Sequence, residues 1–174
     1  MGDAWTQVAA PVRSLHATNP VAHWRGYLRI EHGRHRLTRF LARILRLPRS
    51  GEAVETRLMV TVRGDAEHWQ RRFDGRRLET RQYESSESEL AERFGVLEFR
   101  FRLDASDGSL LYVQRHAAFR FGPIRLPIPA SWAPRVEARE DPAGPNRVNV
   151  DVRVALPRVG PLIAYHGIVE DSRA

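Results

Sequence analysis

The chain has 174 residues, and its formal charge of +7 arises from 28 basic residues, all of them Arg, against 21 acidic ones. The excess lies in one segment, because residues 25–49 contain eight Arg and a single acid, Glu31, whereas residues 50–174 are electrically neutral. A chain that is basic throughout is typical of nucleic-acid binding, and this uneven distribution argues against that partner. The absence of Cys excludes disulfides, thiolate zinc sites and iron–sulfur clusters.

Length and hydropathy predict a single domain, 1–174, without a membrane span. Domains usually contain about 100–200 residues. No apolar run approaches the roughly 20 residues that a membrane-spanning helix needs, and the first residues lack the charged-then-apolar layout of a signal peptide. We therefore expect a cytoplasmic protein. The arginine-rich composition is typical of GC-rich coding.

The first thirty residues predict a short helix followed by a strand. Pro11 limits a helix over residues 8–15 to one or two turns, and the Asn-Pro pair at 19–20 marks a turn. Apolar and polar residues alternate over residues 22–31, which predicts a strand with one buried face. The residues expected on that buried face are Trp24, Leu28 and Ile30.

Residues 35–47 change to a helical period. Apolar side chains at positions i, i+3, i+4, i+7 and i+8 define one face, and arginines occupy most of the rest. The apolar residues are Leu37, Phe40, Leu41, Ile44 and Leu45, and the basic ones are Arg36, Arg39, Arg43 and Arg46. Pro48 and Gly51 end the helix. We expect the apolar face to pack on the sheet or across the mouth of a barrel.

From Val54 onward the period is two almost to the end of the chain, which predicts antiparallel strands. Asp-Gly pairs at 74–75 and 107–108 indicate hairpin turns. Residues 85–88 are predicted to form a loop, and the prolines within residues 122–134 exclude regular structure there. Eight or nine strands, one amphipathic helix between the first two of them and a short N-terminal helix predict an α+β, β-dominated fold. A curved antiparallel sheet or barrel is favoured, because an open sheet of this width would leave two exposed edges.

Several phrases occur along the chain in the order and spacing of a known family. They are Leu15-His16, the apolar helix ending at Leu47-Pro48, the W-x-R-x-F-x-G phrase from Trp69 to Gly75, Glu92 to Gly95, Gly122 to Pro129 followed by Trp132-Ala133-Pro134, and Leu156 to Gly167. Over residues 10–170 the chain resembles the bacterial family catalogued as domain of unknown function 4166.

The resemblance implies no established activity. It implies that members occur alone, or joined to dehydrogenase-like nucleotide-binding domains or to thiol-oxidoreductase-like domains. This chain carries neither, so an oxidoreductase role would require a separate partner. The chain departs from the family pattern near its end, where Gly167 is followed by Ile168 rather than by a large residue such as Trp.

One predicted strand face places Arg71 between Trp69 and Phe73. This face could bind the anionic head group of a ligand through Arg71 while the two rings hold the apolar body. Alternatively, Arg71 is a structural side chain paired with an acid such as Glu92, and the two rings belong to the core. Together with Tyr165, the three residues of this face form the predicted ligand-binding set.

Candidates for acid–base chemistry are His16, Glu92 and Tyr165, because they are polar residues within the family-like phrases. Their spacing does not show that they meet, so whether the protein is an enzyme stays open, with a non-catalytic role favoured. The H-x-x-H pair His32 and His35 lacks a third ligand and the helical H-E-x-x-H arrangement, so we expect a solvated turn and no metal. The sequence contains no P-loop and no dinucleotide-binding motif, so it predicts no cofactor.

Three functions are compatible with the sequence. The leading hypothesis is a non-catalytic binding module for a small apolar or amphipathic ligand, such as a fatty acid or an isoprenoid-like molecule, in a β-barrel-like cavity. The second is an accessory or catalytic domain that works with a dehydrogenase-like oxidoreductase. The third is peripheral membrane association through Arg36, Arg39, Arg43 and Arg46. Against the third stands the commoner arrangement, a core-packed helix with a solvated basic face.

Overall fold

Eleven β-strands and three short helices make up the computed structural model, which describes residues 4–16, 21–86 and 89–173. The strands are β1 (Val21–His32), β2 (Gly51–Arg63), β3 (Ala66–Phe73), β4 (Arg76–Ser86), β5 (Glu89–Phe94), β6 (Leu97–Ser106), β7 (Ser109–Phe121), β8 (Ile124–Pro127), β9 (Arg135–Gly144), β10 (Arg147–Leu156) and β11 (Gly160–Asp171). The helices are α1 (Ala4–Gln7), α2 (Ala10–Leu15) and α3 (Arg36–Ile44). Of the helices in these ranges, none has the length and hydrophobicity that crossing a bilayer requires.

Ten of the strands form a closed antiparallel barrel. The strands pair in the order β6-β5-β4-β3-β2-β1-β11-β10-β9-β7, and a pairing of β6 with β7 completes the ring. β8 pairs with the end of β7 and lies outside the ring. Closure removes the open edges that a flat sheet would expose. The prediction of a β-dominated, barrel-like fold is therefore confirmed, and the predicted number of eight or nine strands is too low.

The missed strands lie where the alternation is interrupted. β4 continues through Ser85 and Ser86, so the predicted loop at 85–88 is wrong for these two residues. The other two residues of that loop, and the turn predicted at 19–20, lie outside the described residues. The segment 122–134, predicted to be irregular because of its prolines, contains the strand β8. This strand lies at an edge and bonds to β7 alone, and an edge strand tolerates proline.

Alternation along each strand separates the barrel interior from solvent. On β1, Trp24, Leu28 and Ile30 are buried, as the pattern predicts. On β3, Phe73 is buried and its ring centroid lies 5.7 Å from that of Tyr165 on β11. A barrel of ten strands has a wider interior than the eight-stranded barrels that side chains can just fill. Large aromatic rings therefore supply much of the packing.

The N-terminal helices close one end of the barrel, which we call the basal end. Val12 and Leu15 of α2 are completely buried. Val8 forms an isolated bridge with Gly108 of the β6–β7 turn, and the amide of Ala9 donates to the Gly108 carbonyl at 2.8 Å. Pro11 lies in the first turn of α2, where its missing N–H is not needed. The short helix predicted over 8–15 is thus present as α2, and α1 precedes the predicted range.

The helix α3 lies at the opposite end, which we call the apical end, and its orientation differs from the prediction. Thr38 and Ala42 are buried against the ends of β1 and β11. Leu37, Phe40 and Ile44 remain 42%, 59% and 58% exposed. The expectation that the apolar face packs on the sheet or covers the barrel mouth is therefore wrong for these three residues.

A close approach between α3 and the barrel sets this orientation. A Cβ added to Gly33 would lie 1.7 Å from the carbonyl oxygen of Pro161 and 2.8 Å from Thr38 Oγ1. Thr38 Oγ1 also donates to the His35 carbonyl at 2.8 Å, and the amide of Leu37 donates to His35 Nδ1 at 3.2 Å. Small side chains occupy this contact between helix and barrel, and Leu37, Phe40 and Ile44 lie on the outward side of α3, whereas Leu41 packs partly against the core.

Strands β1 and β11 also approach closely, at Gly26. A Cβ added at this position would lie 2.0 Å from the backbone oxygen of Ile168. Both strands are held by continuous pairing on either side of this point. The backbone therefore has little freedom to move away from a larger residue.

Replacement of Gly26 by alanine is expected to destabilise the barrel strongly. Gly26→Ala should lower the free energy of unfolding by about 3 kcal/mol, because the clash is with backbone rather than with a mobile side chain. The control is Gly64→Ala, at a turn with a φ of 62° and no atom within 4 Å of the added Cβ, where the loss should be about 1 kcal/mol. Urea unfolding measures both values, and equal losses would contradict the close approach.

Candidate functional site

A buried polar network centred on His16, the C-cap of α2, joins the N-terminal helices to the inside of the barrel. The ring of His16 donates from Nδ1 to Glu67 Oε2 at 3.2 Å and from Nε2 to Glu140 Oε2 at 2.9 Å. Trp69 Nε1 donates to the same Glu67 oxygen at 2.9 Å. The hydroxyl of Tyr112 donates to Glu140 Oε1 at 3.2 Å. The network therefore connects α2 with β3, β7 and β9.

The two carboxylates keep the His16 ring protonated. Burial opposes the charge and by itself lowers the pKa, but the charge and hydrogen bond of Glu140, together with those of Glu67, outweigh it. The pKa of His16 therefore rises from 6.5 to about 10. At neutral pH both ring N–H groups donate to carboxylates. Both nitrogens of an imidazolium are donors, and the two hydrogen bonds of His16 join α2 to β3 and β9.

Two tyrosine hydroxyls in the interior also stay protonated. Burial raises the pKa of Tyr112 well above its usual value of 10.0, and the charges of Glu140 and Glu92 raise it further. Burial likewise raises the pKa of Tyr165, although the positive charge of Arg71 opposes this effect. Both hydroxyls therefore remain hydrogen-bond donors at neutral pH.

Arg71 lies in the barrel interior with part of its hydrogen-bonding capacity unused. Its NH1 donates to Thr80 Oγ1 at 2.8 Å. Its NH2 lies 3.8 Å from Glu92 Oε1, which is an ion pair but too long for a hydrogen bond. The guanidinium carbon lies 4.9 Å from the centroid of the Trp69 ring, in cation–π contact. A guanidinium has five N–H donors, so Arg71 can still bind an acceptor.

Arg71 borders a cavity of about 70 Å³ within the barrel. Valine and leucine side chains of β1, β2, β9, β10 and β11 form its apolar walls. Its polar lining consists of Thr56, Arg71, Gln82, Glu92, Tyr112, Glu140 and Tyr165. The cavity therefore offers both hydrogen-bond donors and acceptors beside an apolar surface.

Gln82 on β4 is the unsatisfied group of this lining. Its side chain is buried, and Oε1 has no hydrogen-bond partner among the described residues. A buried acceptor left without a donor costs about 1–3 kcal/mol. Oε1 of Gln82 is therefore the position at which the cavity would gain most from a bound donor.

A larger, open groove of about 980 Å³ crosses the outer face of β1, β2 and β3. Four of its charged side chains form two surface ion pairs, Arg57 with Glu55 at 2.8 Å and Arg25 with Glu170 at 3.5 Å. We therefore place the candidate site in the interior.

The structure brings the predicted ligand-binding set together, because Trp69, Arg71, Phe73 and Tyr165 all line the cavity. Two of the three acid–base candidates, Glu92 and Tyr165, line it as well. The third, His16, lies toward the basal end, where it binds Glu140. Both sequence interpretations of Arg71 have support: it meets Glu92, and it faces a cavity.

Four residues of the site were missed at the level of sequence: Glu67, Gln82, Tyr112 and Glu140. The alternation itself carried the signal for two of them. Glu67 precedes Trp69 by two positions, and Gln82 follows Thr80 by two, so each shares the inward face of its strand. A charged or polar residue at an inward position of a barrel strand is the pattern that would have identified them.

The remaining predicted residues lie at the apical end. Arg36, Arg39, Arg43 and Arg46 are all exposed, and within the described ranges none of them makes an ion pair. His35 of the H-x-x-H pair caps α3. No cluster of His, Asp and Glu side chains suited to a metal ion occurs in the part of the chain that the structure describes.

A second buried charge, Glu98 on β6, lies on the outer face of the barrel wall. It accepts hydrogen bonds from the Tyr83 hydroxyl at 2.6 Å and from Arg125 Nε at 2.8 Å. Arg120 NH1 lies 3.6 Å away. Burial disfavours the carboxylate, but these donors and cations outweigh it and lower the pKa of Glu98. Because Arg120 belongs to β7 and Arg125 to β8, Glu98 anchors the β7–β8 hairpin to the wall.

The protonated state of His16 predicts a particular dependence of stability on pH. Because the folded pKa lies above the unfolded value, the stabilisation is complete below pH 6.5 and is lost as the pH rises from 6.5 through about 10. One pKa unit corresponds to about 1.4 kcal/mol, so the loss is on the order of 5 kcal/mol. Urea unfolding across this range should show the decline in the unmodified protein and not in His16→Gln.

The matched control for this experiment is His166→Gln, which removes an exposed histidine from the outer face of β11. It should keep the slope of the unmodified protein. Nitrogen chemical shifts of the His16 ring give an independent readout and should show the protonated form at pH 8. A ring that titrates near pH 6.5, or the same slope in His16→Gln as in the unmodified protein, would contradict the network.

Comparison with known proteins identifies the family of the chain. No curated protein and no solved structure shows significant similarity to the chain. A family model described as domain of unknown function (DUF4166) matches residues 9–168, nearly the whole chain, including the α2–β3–β9 network and the cavity. The chain therefore belongs to the DUF4166 family.

Proposed function

We propose that the barrel is a non-catalytic binding module for a small amphipathic molecule, whose polar end binds in the cavity between Arg71 and Gln82. The observation that carries the proposal is the buried, unpartnered Oε1 of Gln82. It lines the same cavity as a guanidinium that has donors to spare. A ligand with both an acceptor and a donor complements this pair.

The size of the cavity restricts the ligand. Whole drug-sized or lipid-sized ligands need cavities of about 300–1,000 Å³, whereas this one measures about 70 Å³. It therefore suits a polar group with a few heavy atoms. A hydroxy acid or a carboxamide has the required donor and acceptor, and the head group of a longer amphipathic molecule has the same chemistry.

The state of the interior titratable groups supports binding over acid–base chemistry. His16 is held as an imidazolium by two carboxylates. Burial keeps the hydroxyls of Tyr112 and Tyr165 protonated. A general base near neutral pH needs a pKa close to the working pH, and the pKa values of these three groups lie well above it.

The test compares two probes, glycolate and acetate, which differ by one hydroxyl group. Gln82 Oε1 would accept a hydrogen bond from that hydroxyl. Titrations followed by nuclear magnetic resonance should show saturable binding of both, with glycolate bound more tightly. Gln82→Leu should weaken the binding of glycolate by about tenfold and leave the binding of acetate unchanged, whereas Arg71→Met should weaken the binding of both probes. Absence of binding, or a Gln82→Leu effect equal for the two probes, would contradict the proposed site.

Native mass spectrometry of gently purified protein examines the natural ligand. We expect an adduct that survives in the His166→Gln control and is lost in Arg71→Met. Thermal unfolding of each variant establishes that the barrel is intact. An adduct that persists in Arg71→Met would contradict the assignment of the polar end.

A further inference from the structure

The exposed apolar side chains of the barrel are concentrated at its apical end. Nine of the twelve large apolar residues that are exposed among the described residues belong to elements at this end. We call these nine residues the apolar rim: Leu37, Phe40 and Ile44 of α3, Val96 of the β5–β6 turn, Phe119, Phe121, Ile124 and Leu126 of the β7–β8 hairpin, and Trp132 before β9.

The strand directions explain why these residues share one end. In an antiparallel barrel the direction reverses at every connection, so the β1–β2, β5–β6, β7–β9 and β10–β11 connections all lie on the same side. The β1–β2 connection carries α3, and the β5–β6 connection carries Val96. The β7–β9 connection carries β8 and Trp132, and the β10–β11 connection carries Arg158. Around the ring they follow one another from β1 and β11 through β10 and β9 to β7 and β6. The apolar rim is therefore a continuous arc.

The hairpin presents its four apolar residues on one face. Phe119 pairs with Leu126, and Phe121 pairs with Ile124. The rings of Phe119 and Phe121 stack with centroids 6.4 Å apart. The opposite face carries the two arginines that Glu98 anchors. The apolar face is thus held outward by a buried ion pair on the other side of the hairpin.

Basic side chains without acidic partners flank the apolar rim. On α3, Arg36, Arg39 and Arg43 follow a row next to the exposed apolar row, and within the described residues none makes an ion pair. The nearest acids along the chain, Glu31 and Glu52, both pair with Arg29 instead. The positive charge of this segment is therefore available to an external anion.

Trp132 has the surroundings of an interfacial residue. Its side chain is 67% exposed, and the guanidinium carbon of Arg158 lies 5.2 Å from the ring centroid. Tryptophan is enriched where apolar and polar phases meet, because its ring is amphipathic. Trp132 and Arg158 thus bring an interfacial ring and a cation to the middle of the arc.

We propose that the apolar rim docks on the surface of an anionic lipid bilayer. Phenylalanine, leucine and isoleucine side chains enter the boundary between head groups and acyl chains, and the arginines bind lipid phosphates. Guanidinium groups suit phosphates because they bind them through two parallel hydrogen bonds. Charge complementarity favours this occupant over a second copy of the chain, whose rim would carry the same unpaired arginines.

The first experiment is flotation of the full chain with vesicles. Phosphatidylcholine vesicles that contain phosphatidylglycerol should bind the protein, and vesicles of phosphatidylcholine alone should bind it much less. Added salt should weaken binding, because it screens the arginine–phosphate attraction. A protein that floats with neither kind of vesicle overturns the proposal.

Matched charge variants test whether location matters beyond net charge. Each triple variant removes three positive charges from the total of +7. The rim variant is Arg36→Gln, Arg39→Gln and Arg43→Gln, and the wall variant is Arg25→Gln, Arg57→Gln and Arg147→Gln. Partitioning should fall by roughly 10²-fold in the rim variant and stay near that of the unmodified protein in the wall variant. Equal losses overturn the proposal.

Matched apolar variants test insertion. The apolar rim variant carries Phe40→Ser, Phe121→Ser and Trp132→Ser. Its control carries Tyr27→Ser, Val62→Ser and Ile168→Ser, at exposed positions away from the rim. The apolar rim variant should lose at least about tenfold in partitioning, with thermal unfolding unchanged. Equal partitioning of the two variants overturns the proposal.

Two further measurements separate this surface from the other possibilities. Arg71→Met should float like the unmodified protein, so that failure of the interior site and failure of the apolar rim are distinguishable. Light scattering of the free protein should show a monomer over the concentrations used. A dimer that the apolar rim variant abolishes, without flotation, identifies a second copy as the occupant and overturns the proposal.

Discussion

Closure of ten strands into one ring is the constraint on which the rest of the structure depends. A ring of this width encloses more space than aliphatic side chains fill, so the interior must also accommodate aromatic rings and polar groups. Charged groups taken out of water need partners. His16 between Glu67 and Glu140, and Arg71 beside Glu92, are the two ways in which this barrel provides them.

The two pairings differ in how completely the charges are satisfied. The imidazolium of His16 has a carboxylate at each ring nitrogen and is enclosed by the rings of Trp5 and Trp69. Arg71 has one short hydrogen bond and one long ion pair, and it lines the cavity. A saturated network rigidifies a fold, whereas an incompletely satisfied one leaves interaction energy for another molecule. The interior thus divides into a half whose polar groups are saturated and a half whose polar groups are incompletely satisfied.

The ends of the barrel differ in a related way. At the basal end, α1 and α2 bury Val8, Val12 and Leu15 and complete the core. At the apical end, α3 contacts the barrel through Thr38 and Ala42 and leaves Leu37, Phe40 and Ile44 exposed. Most of the hydrophobic surface that folding does not use is therefore collected on one side of the molecule, together with the chain's surplus positive charge.

Much of the architecture was accessible from local patterns. Val148 to Val154 alternate so regularly, and the Asp-Gly turns are so specific, that strands and hairpins followed directly. The inward face of Trp69, Arg71 and Phe73 was accessible for the same reason.

The long-range partnerships were not accessible. His16 and Glu140 are 124 positions apart, and no local pattern states which strand will face which helix. The orientation of α3 was also hidden, because it depends on a clearance at Gly33 that only the assembled barrel defines.

The pairing of β1 with β11 has a consequence for biosynthesis. The first strand of the barrel meets one of its two neighbours only after the last strand of the barrel has been made. The N-terminal helices must likewise wait for Glu140 before His16 can form its hydrogen bond with that carboxylate. Contacts of such high sequence separation form slowly, and unpaired strand edges are prone to aggregation while they remain exposed. Until that last strand is made, the nascent chain therefore keeps an unpaired strand edge for longer than a domain of the same size built from local contacts does.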